Sequence, residues 1–392
     1  MIKLADKFQC TGCSACSNVC PQNAIKMQYD EQGFLFSEVD NDRCCDCGKC
    51  SKVCPVLQND TNCHTPIGFW AAWSKDCKTL KSSTSGGMFM SLSRYVFARN
   101  GAVFGALFDK EMHLVHGVAF NECEAWAMQG SKYIQSNIGS AYKRAKELLN
   151  SQTLVMFTGT PCQIEGLYKY LGKTYENLIT CEVLCHGVGS TKFFEDVIKD
   201  YQLSNNSKVK NVLFRDKKGG WEDSYFTVFF ENGKRKSSPS YYNTFGYPFS
   251  CGYISRESCL NCKYSSEMRV ADITLGDYAG KDKNHYSSKQ KKKGISLVLA
   301  STEKGKKVLK ELEATVEFDE KDILKISESN PALRQKAHNE RKRNKFFDVY
   351  LNDGYDSVKL RCATPSKEIV FRHKYRRQIN FVYNILKKLK LK

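Results

Sequence analysis

Eight cysteines near the start of the chain repeat one spacing. Cys10, Cys13, Cys16 and Cys20, followed by Pro21, read C-x2-C-x2-C-x3-C-P, and Cys44, Cys47, Cys50 and Cys54, followed by Pro55, read the same. Thiolates at this spacing suit 4Fe-4S cubanes. A tight loop offers three of them to one cubane, and the fourth, at the start of a helical turn, lies too far along and crosses to the other. One cluster is therefore assigned to Cys10, Cys13, Cys16 and Cys54, and a second to Cys44, Cys47, Cys50 and Cys20. The two prolines set the turn after each crossing ligand and carry no N–H that needs a partner. Zinc favours paired C-x2-C half-sites and has no use for a fourth cysteine at x3 with proline behind it. Disulfides need an oxidising compartment. Cys45 falls between ligands as a bystander.

Of the 19 cysteines, ten remain. Cys259 and Cys262 form a C-x2-C pair in a polar loop. Cys162 lies in Gly159-Thr160-Pro161-Cys162, and Cys185 in Cys185-His186-Gly187. Alone, the pair reads equally as half a zinc site or as chance. Four thiols from three loops at one sheet edge could hold a third 4Fe-4S cluster, with Cys251 as a rival ligand. Cys63, Cys77, Cys123, Cys181 and Cys362 have no ligand-like spacing.

Two further stretches suit an anionic cofactor. The turn Ser82-Ser83-Thr84-Ser85-Gly86-Gly87 opens a helix, where hydroxyls and free N–H groups make an anion site fit for a pyrophosphate. Ser83, Ser85, Gly86 and Gly87 are its candidates, and an ordinary helix cap is the alternative. The loop Gly130–Ser136 offers Ser131, the cation of Lys132 and the aromatic plane of Tyr133.

These groups need elements to hold them. Residues 1–58 read as one small unit, with a hairpin between Ala24–Met27 and Phe34–Phe36 turning at Asp30–Gly33. Residues 59–66 read as a linker. From 67 to 150 a strand at 68–73 leads to the helix after Gly87, strands at 102–108 and 113–120, and a helix at 140–149. From 151 to 335 an α/β alternation begins. Buried strands at 153–157 and 178–184 end in the turns bearing Cys162 and Cys185, where open α/β sheets place ligands. Antiparallel strands occupy 209–238, and a strand and helix follow at 294–300 and 304–312.

The net charge is +18, from 60 Lys/Arg against 42 Asp/Glu. Residues 1–60 hold six Lys/Arg and eight Asp/Glu, so the basic excess lies beyond them. An acidic redox partner or an anionic membrane surface suits that charge, and no nucleic-acid recognition module accompanies it. No apolar stretch opens the chain as a secretion signal would, and none reaches the ~18 residues of a membrane span. Thiolate-bound iron points to a reducing cytoplasm. Residues 363–392 carry nine Lys/Arg and one Glu. Gln378–Leu391 reads as a basic amphipathic helix, suited to the inner face of a membrane or to docking on the body.

The residue phrases together resemble the beta-subunit family of coenzyme F-420 hydrogenase/dehydrogenase, in a form with a bacterial-type two-cluster ferredoxin fused at its N-terminus. They run in order as Ser82–Gly87, Gly130–Tyr133, Gly159–Cys162, Cys185–Gly187, Phe214–Lys217, Cys259–Cys262, Ala271–Asp277 and Lys293–Ser296. The resemblance implies an α+β ferredoxin unit on a mixed-sheet α/β body, one FAD, and a third 4Fe-4S cluster on Cys162, Cys185, Cys259 and Cys262. It also places the 82–87 turn and the 130–136 loop on the flavin. Family members act on the deazaflavin coenzyme, and fused forms occur beside surface-polysaccharide genes. The reading is an iron–sulfur flavoenzyme served by a soluble low-potential carrier or a partner reductase. The alternative is an electron-relay subunit with no substrate pocket of its own. Lys132, His186, Asp216 and Lys217 are the polar candidates near the flavin.

Overall fold

The computed structural model describes residues 4–58, 60–336 and 339–375, with positions 378, 382 and 385. The first unit is small. Strands β1 (Ile25–Tyr29) and β2 (Leu35–Val39) pair as an antiparallel hairpin, flanked by short helices Ala15–Val19 and Lys49–Lys52. Each helix directly precedes a crossing cysteine region, at Cys20 and at Cys54.

The body is built on one eight-stranded mixed sheet. Its strands are β3 (Gly68–Ser74), β4 (Ala102–Phe108), β5 (Leu114–Ala119), β6 (Val155–Gly159) and β7 (Leu178–Val183). A second sheet of three antiparallel strands intervenes, β8 (Val209–Asp216), β9 (Tyr225–Phe230) and β10 (Arg235–Pro239). The chain then returns to the large sheet with β11 (Ile273–Asp277), β12 (Ser296–Ala300) and β13 (Val316–Glu320). The large sheet runs β13-β3-β12-β11-β7-β6-β4-β5. Its centre, β11-β7-β6-β4, is parallel, and the strands outside it are antiparallel. The central strands read as unbroken apolar runs because both faces are covered: Val155, Met156 and Phe157 of β6 are all buried. Parallel strands end at one edge, so Gly159, Val183 and Asp277 fall together there.

Several elements went unread in the sequence. The helix Cys77–Ser82, capped by Asp76, precedes the glycine turn, so the helix after that turn starts at Met88. β13 forms the outer edge. The helix Glu340–Val358, broken at Gly354, buries Arg343, Phe346, Phe347 and Tyr350 against Phe34 and Phe193. That i, i+3, i+4, i+7 stripe was visible in the sequence.

The expected linker is held to the body. His64 bridges to Arg269, and Asp60 pairs with Lys169 at 2.7 Å. The first unit itself docks closely. Ser190 Oγ donates to Gln32 O at 2.6 Å, the Thr191 N–H donates to Gly33 O at 3.1 Å, and Asn18 donates to Gly139 O at 2.9 Å. Of the basic tail, the helix Lys367–Lys374 is present; apart from the three positions named above, the helix expected over Gln378–Leu391 lies outside the described residues.

Candidate functional site

The thiols fall into sets that follow the spacing. In the first unit Cys16 sits near Cys10 and also near Cys54, which arrives from the second run. Cys13 is buried among Cys16 and Cys10, while Cys47 is exposed beside Cys50. The first set thus turns inward at Cys13, and the other reaches solvent at Cys47 while its Cys50 is buried. Backbone N–H groups aim at the sulfurs, from Gly12 to Cys10 Sγ at 3.4 Å and from Ala24 to Cys20 Sγ at 3.3 Å.

The third set comes together from three loops. Cys162 occupies the first turn of the helix Pro161–Leu171, which starts with a Thr160/Gln163 capping box. Cys185 follows β7, with the Gly187 N–H on its Sγ at 3.4 Å. Cys259 and Cys262 lie on and just after a single-turn helix, Glu257–Asn261. Bridges Ile134–Gly189 and Gly189–Ser255 stitch these loops to one another and to the 130–136 loop. All four thiols line a cavity of about 650 Å³. Burial, with repulsion from its thiol neighbours, pushes Cys162 up to about 11 and Cys259 up to about 12, and raises Cys185 for the same reasons. As thiolates these four would repel one another, and a bound cation such as cluster iron would offset that repulsion. Cys251 sits instead with Tyr247 and Tyr253. Among the described residues no three His, Cys, Asp or Glu side chains close around a single metal ion. A cubane, with its ligands on the corners of a larger tetrahedron, does not need that closeness.

The inward set and the third set are neighbours. Gly166, on the helix that carries Cys162, lies so close to the first loop that a Cβ there would meet Cys13 Sγ at 3.1 Å. Tyr142 and Tyr264 each lie within electrostatic range of both Cys13 and Cys162.

A second cavity, of about 480 Å³, opens at the strand ends. Ser83, Ser85 and Gly87 of the turn and Ser131, Lys132 and Tyr133 of the loop all line it. Thr84 Oγ1 accepts from the Ser131 N–H at 3.0 Å and joins the two segments. The serine hydroxyls are already engaged: Ser83 Oγ donates to Ser85 O at 2.8 Å, and Ser85 Oγ to Ile295 O at 2.9 Å. The donors left in the turn for an anion are the Thr84 hydroxyl, which only accepts here, and backbone groups. Gly87, at φ +84°, starts the helix Met88–Phe97 without a side-chain cap, and Met88 and Phe89 line the cavity. Gly86 does not line the cavity. It is packed against β3 and β12, and a Cβ would fall 2.3 Å from Ala72 O.

Lys132 lines this cavity with Nζ on the carbonyls of Met128 at 3.0 Å and Gln129 at 3.1 Å, and burial pushes it down to about 7. Tyr133 stacks on Phe249 at 4.5 Å. His186 lines both cavities, and burial holds its imidazole below its ordinary range. Asp216 and Lys217 line neither. Asp216 accepts from Thr227 Oγ1 at 3.0 Å on the small sheet, while Lys217 braces the glycine turn from behind, donating to the carbonyls of Leu80, Ser85 and Lys293.

Three lining groups went unread in the sequence. His116 donates from Nε2 to Thr158 O at 2.8 Å and accepts at Nδ1 from Ser136 Oγ at 2.7 Å, and burial lowers it to about 4, so it is neutral. Arg215 pairs with Asp277 at the end of β11. Val183, an apolar residue at the end of a central strand, is 46% exposed because its side chain borders the cavity. A segment of four residues, Cys185 to Val188, lines both cavities and so forms a shared wall between them.

Comparison with known families bears on this arrangement. The 4Fe-4S dicluster domain model matches residues 9–57, and the model for the C-terminal part of the coenzyme F420 hydrogenase/dehydrogenase beta subunit matches residues 152–325. Residues 152–325 thus belong to the F-420 hydrogenase/dehydrogenase beta-subunit family, and a two-cluster ferredoxin domain precedes them at residues 9–57. This beta-subunit-type chain is therefore an iron–sulfur protein of the electron-transfer, oxidoreductase type. A chain from a xenon-derivatised structure of the F420-reducing NiFe hydrogenase complex from Methanosarcina barkeri is similar at 21% identity, over 74% of this chain and 92% of that one, with a TM-score of 0.47. No curated protein matched. Among the described residues no helix is long and apolar enough to cross a membrane.

Proposed function

We propose that this chain is an iron–sulfur flavoprotein oxidoreductase that moves electrons between a carrier docked at its ferredoxin unit and an FAD in the sheet-edge cavity. The observation that carries the reading is the shared wall Cys185–Val188, which sets the four-thiol cavity directly against the second one. Clusters, when bound, supply one-electron transfer, and a bound flavin converts it to two-electron chemistry. Cys44, Cys47, Cys50 and Cys20 would hold the cluster facing solvent, Cys10, Cys13, Cys16 and Cys54 the inward one, and Cys162, Cys185, Cys259 and Cys262 the third. The sets run from the exposed Cys47 to the buried Cys13, and on to Cys162 and Cys185 at the cavity wall. Around the flavin, the N–H groups after Gly87 and the cation of Lys132 would bind phosphate, and Tyr133 would offer a ring face. A cavity of about 480 Å³ lies within the usual range of small-molecule sites and is open at the sheet edge, where an extended dinucleotide could continue beyond it.

Cofactor content tests the reading. Protein purified without oxygen is expected to carry about twelve iron and about twelve sulfide, from three cubanes, together with one FAD. About eight iron with no flavin would overturn it.

Lys132 makes the binding pH-dependent. Its pKa is depressed to about 7, so the cation is present below that pH and lost above it. A charge-assisted bond of about 1.4 kcal/mol corresponds to about tenfold in affinity. FAD affinity of the flavin-stripped protein is therefore expected to fall about tenfold from pH 6 to pH 9, and Lys132→Met is expected to flatten the curve. Fluorescence titration reads both, and an unchanged slope in the variant would exclude Lys132.

A further inference from the structure

Arg256 is among the most buried large side chains of the protein, at 1% exposure. It has no motif around it and no part in the reading above. Its guanidinium joins the two units: Nε donates to Cys10 O at 2.8 Å, Nη2 to Leu35 O at 2.8 Å, and Nη1 to Gln135 Oε1 at 3.0 Å. The ring of Phe36 lies 4.2 Å from Cζ. All its acceptors are neutral. Among the described residues no carboxylate comes within ion-pair distance of it, and the adjacent Glu257 lies toward a second buried arginine, Arg343, at 3.9 Å. Arg343 itself is bound to Ser255 O and Gln32 Oε1, at 2.6 Å each. A buried cation with no counter-ion is costly, and a fold that keeps one has placed negative charge nearby.

Two thiol sets are the available source of that charge. Arg256 touches the backbone of Cys10 on one side and lines the four-thiol cavity on the other. Its field favours the thiolate forms of Cys162 and Cys259. A cubane with four thiolates carries net negative charge, and net charge and hydrogen bonding set its potential. We propose that Arg256 is the shared counter-cation of the inward cluster and the third cluster, holding both reduction potentials up. This rests on the cluster assignment above. Reduction adds an electron, and so a negative charge, to either cluster, and a fixed cation beside it favours that step. The solvent-facing set lies under the exposed Cys44–Cys47 loop, where water screens the same charge. It therefore serves as an internal reference.

The test is an EPR-monitored redox titration of anaerobically purified holoprotein, comparing the parent chain with Arg256→Gln and Arg256→Lys. Iron in the parent checks the cluster assignment separately, since a count near eight would remove the third cluster whatever Arg256 does. With about twelve iron in the parent, Arg256→Gln is expected to lower two of the three couples and leave one in place. The expected size is about a tenfold fall in the reduced-to-oxidised ratio at fixed ambient potential, about 59 mV for a one-electron couple. Arg256→Lys keeps the charge and loses the fork, and should shift those couples by less than half as much. If Arg256→Gln sheds iron, retention of that iron in Arg256→Lys supports the counter-cation. Three unshifted couples in a fully loaded Arg256→Gln would reduce Arg256 to a mechanical tie and overturn the proposal. So would equal shifts, or equal iron loss, in the two variants.

Discussion

A Cys259→Ala chain is expected to bind about eight iron atoms where the parent binds about twelve, since a cubane is held by four cysteines. The loss should stop at one cluster. Cys259 shares its cavity with Cys162, Cys185 and Cys262, while the eight thiols of the ferredoxin unit are held by their own loops and by Gln135, Arg256 and Ser190. The site should also survive as protein. Cys259 lies on a single-turn helix that carries no strand of either sheet, so truncating it removes a ligand without cutting into the core. The ferredoxin clusters of this variant should still take electrons from a low-potential reductant. FAD content should be unchanged, because the second cavity lies on the far side of the Cys185–Val188 wall. Iron analysis and visible absorbance check the outcome, and a variant that keeps all its iron would remove Cys259 from the ligand set.

Val183→Trp is expected to cut FAD content by at least about tenfold and to leave iron at the parent level. Val183 ends β7 and is 46% exposed, so its methyl groups face open space at the cavity and bury little. An indole added there occupies volume that a ligand needs. It need not displace packed side chains, so the usual penalty of about 1–3 kcal/mol for overpacking a core does not apply. The contrast with the glycine turn is instructive. Gly87 sits at φ +84°, and a Cβ there would meet Thr79 Cγ2 at 2.8 Å. A Gly87→Asp chain would distort the turn from the protein side, so a loss of flavin in it would not separate a blocked phosphate site from a damaged fold. Flavin released by acid and quantified against iron checks the Val183 prediction, and full occupancy would move the flavin elsewhere.

The ferredoxin run was legible because its chemistry is local. Cluster loops need cysteines at fixed spacing, and spacing is what a sequence records. The third set was partly legible, since Cys162 and Cys185 follow apolar strands and such strand ends are where α/β sheets place ligands. What joins Cys259 and Cys262 to them is tertiary, carried by the Gly189–Ser255 bridge, which has no sequence signature. Arg256 was illegible for the same reason. A lone arginine in a polar loop reads as solvated, and its burial follows from the docking of a separate unit. His116 looked like one polar residue on an alternating strand, and its partners Thr158 and Ser136 are 42 and 20 residues away. The 82–87 turn was legible as a helix opening, while which of its groups reach the cavity was not. Ser83, Ser85 and Gly87 face the cavity and Gly86 does not, the two serine hydroxyls are tied to neighbouring carbonyls, and the Thr84 hydroxyl and the backbone are what remains to donate.

The central claim is a relay that runs from the solvent-facing thiols through the third set to the cavity. Anaerobic stopped-flow mixing of a low-potential one-electron donor with the holoprotein tests it most directly, following iron–sulfur and flavin absorbance together in the parent and in Cys259→Ala. In the parent, iron–sulfur bleaching is expected first and flavin bleaching after it, at a rate independent of donor concentration. In Cys259→Ala the first phase should persist and the flavin phase should fall to the level of a chain without clusters. Flavin reduced at the parental rate in Cys259→Ala, or reduced ahead of the clusters in the parent, would contradict the relay.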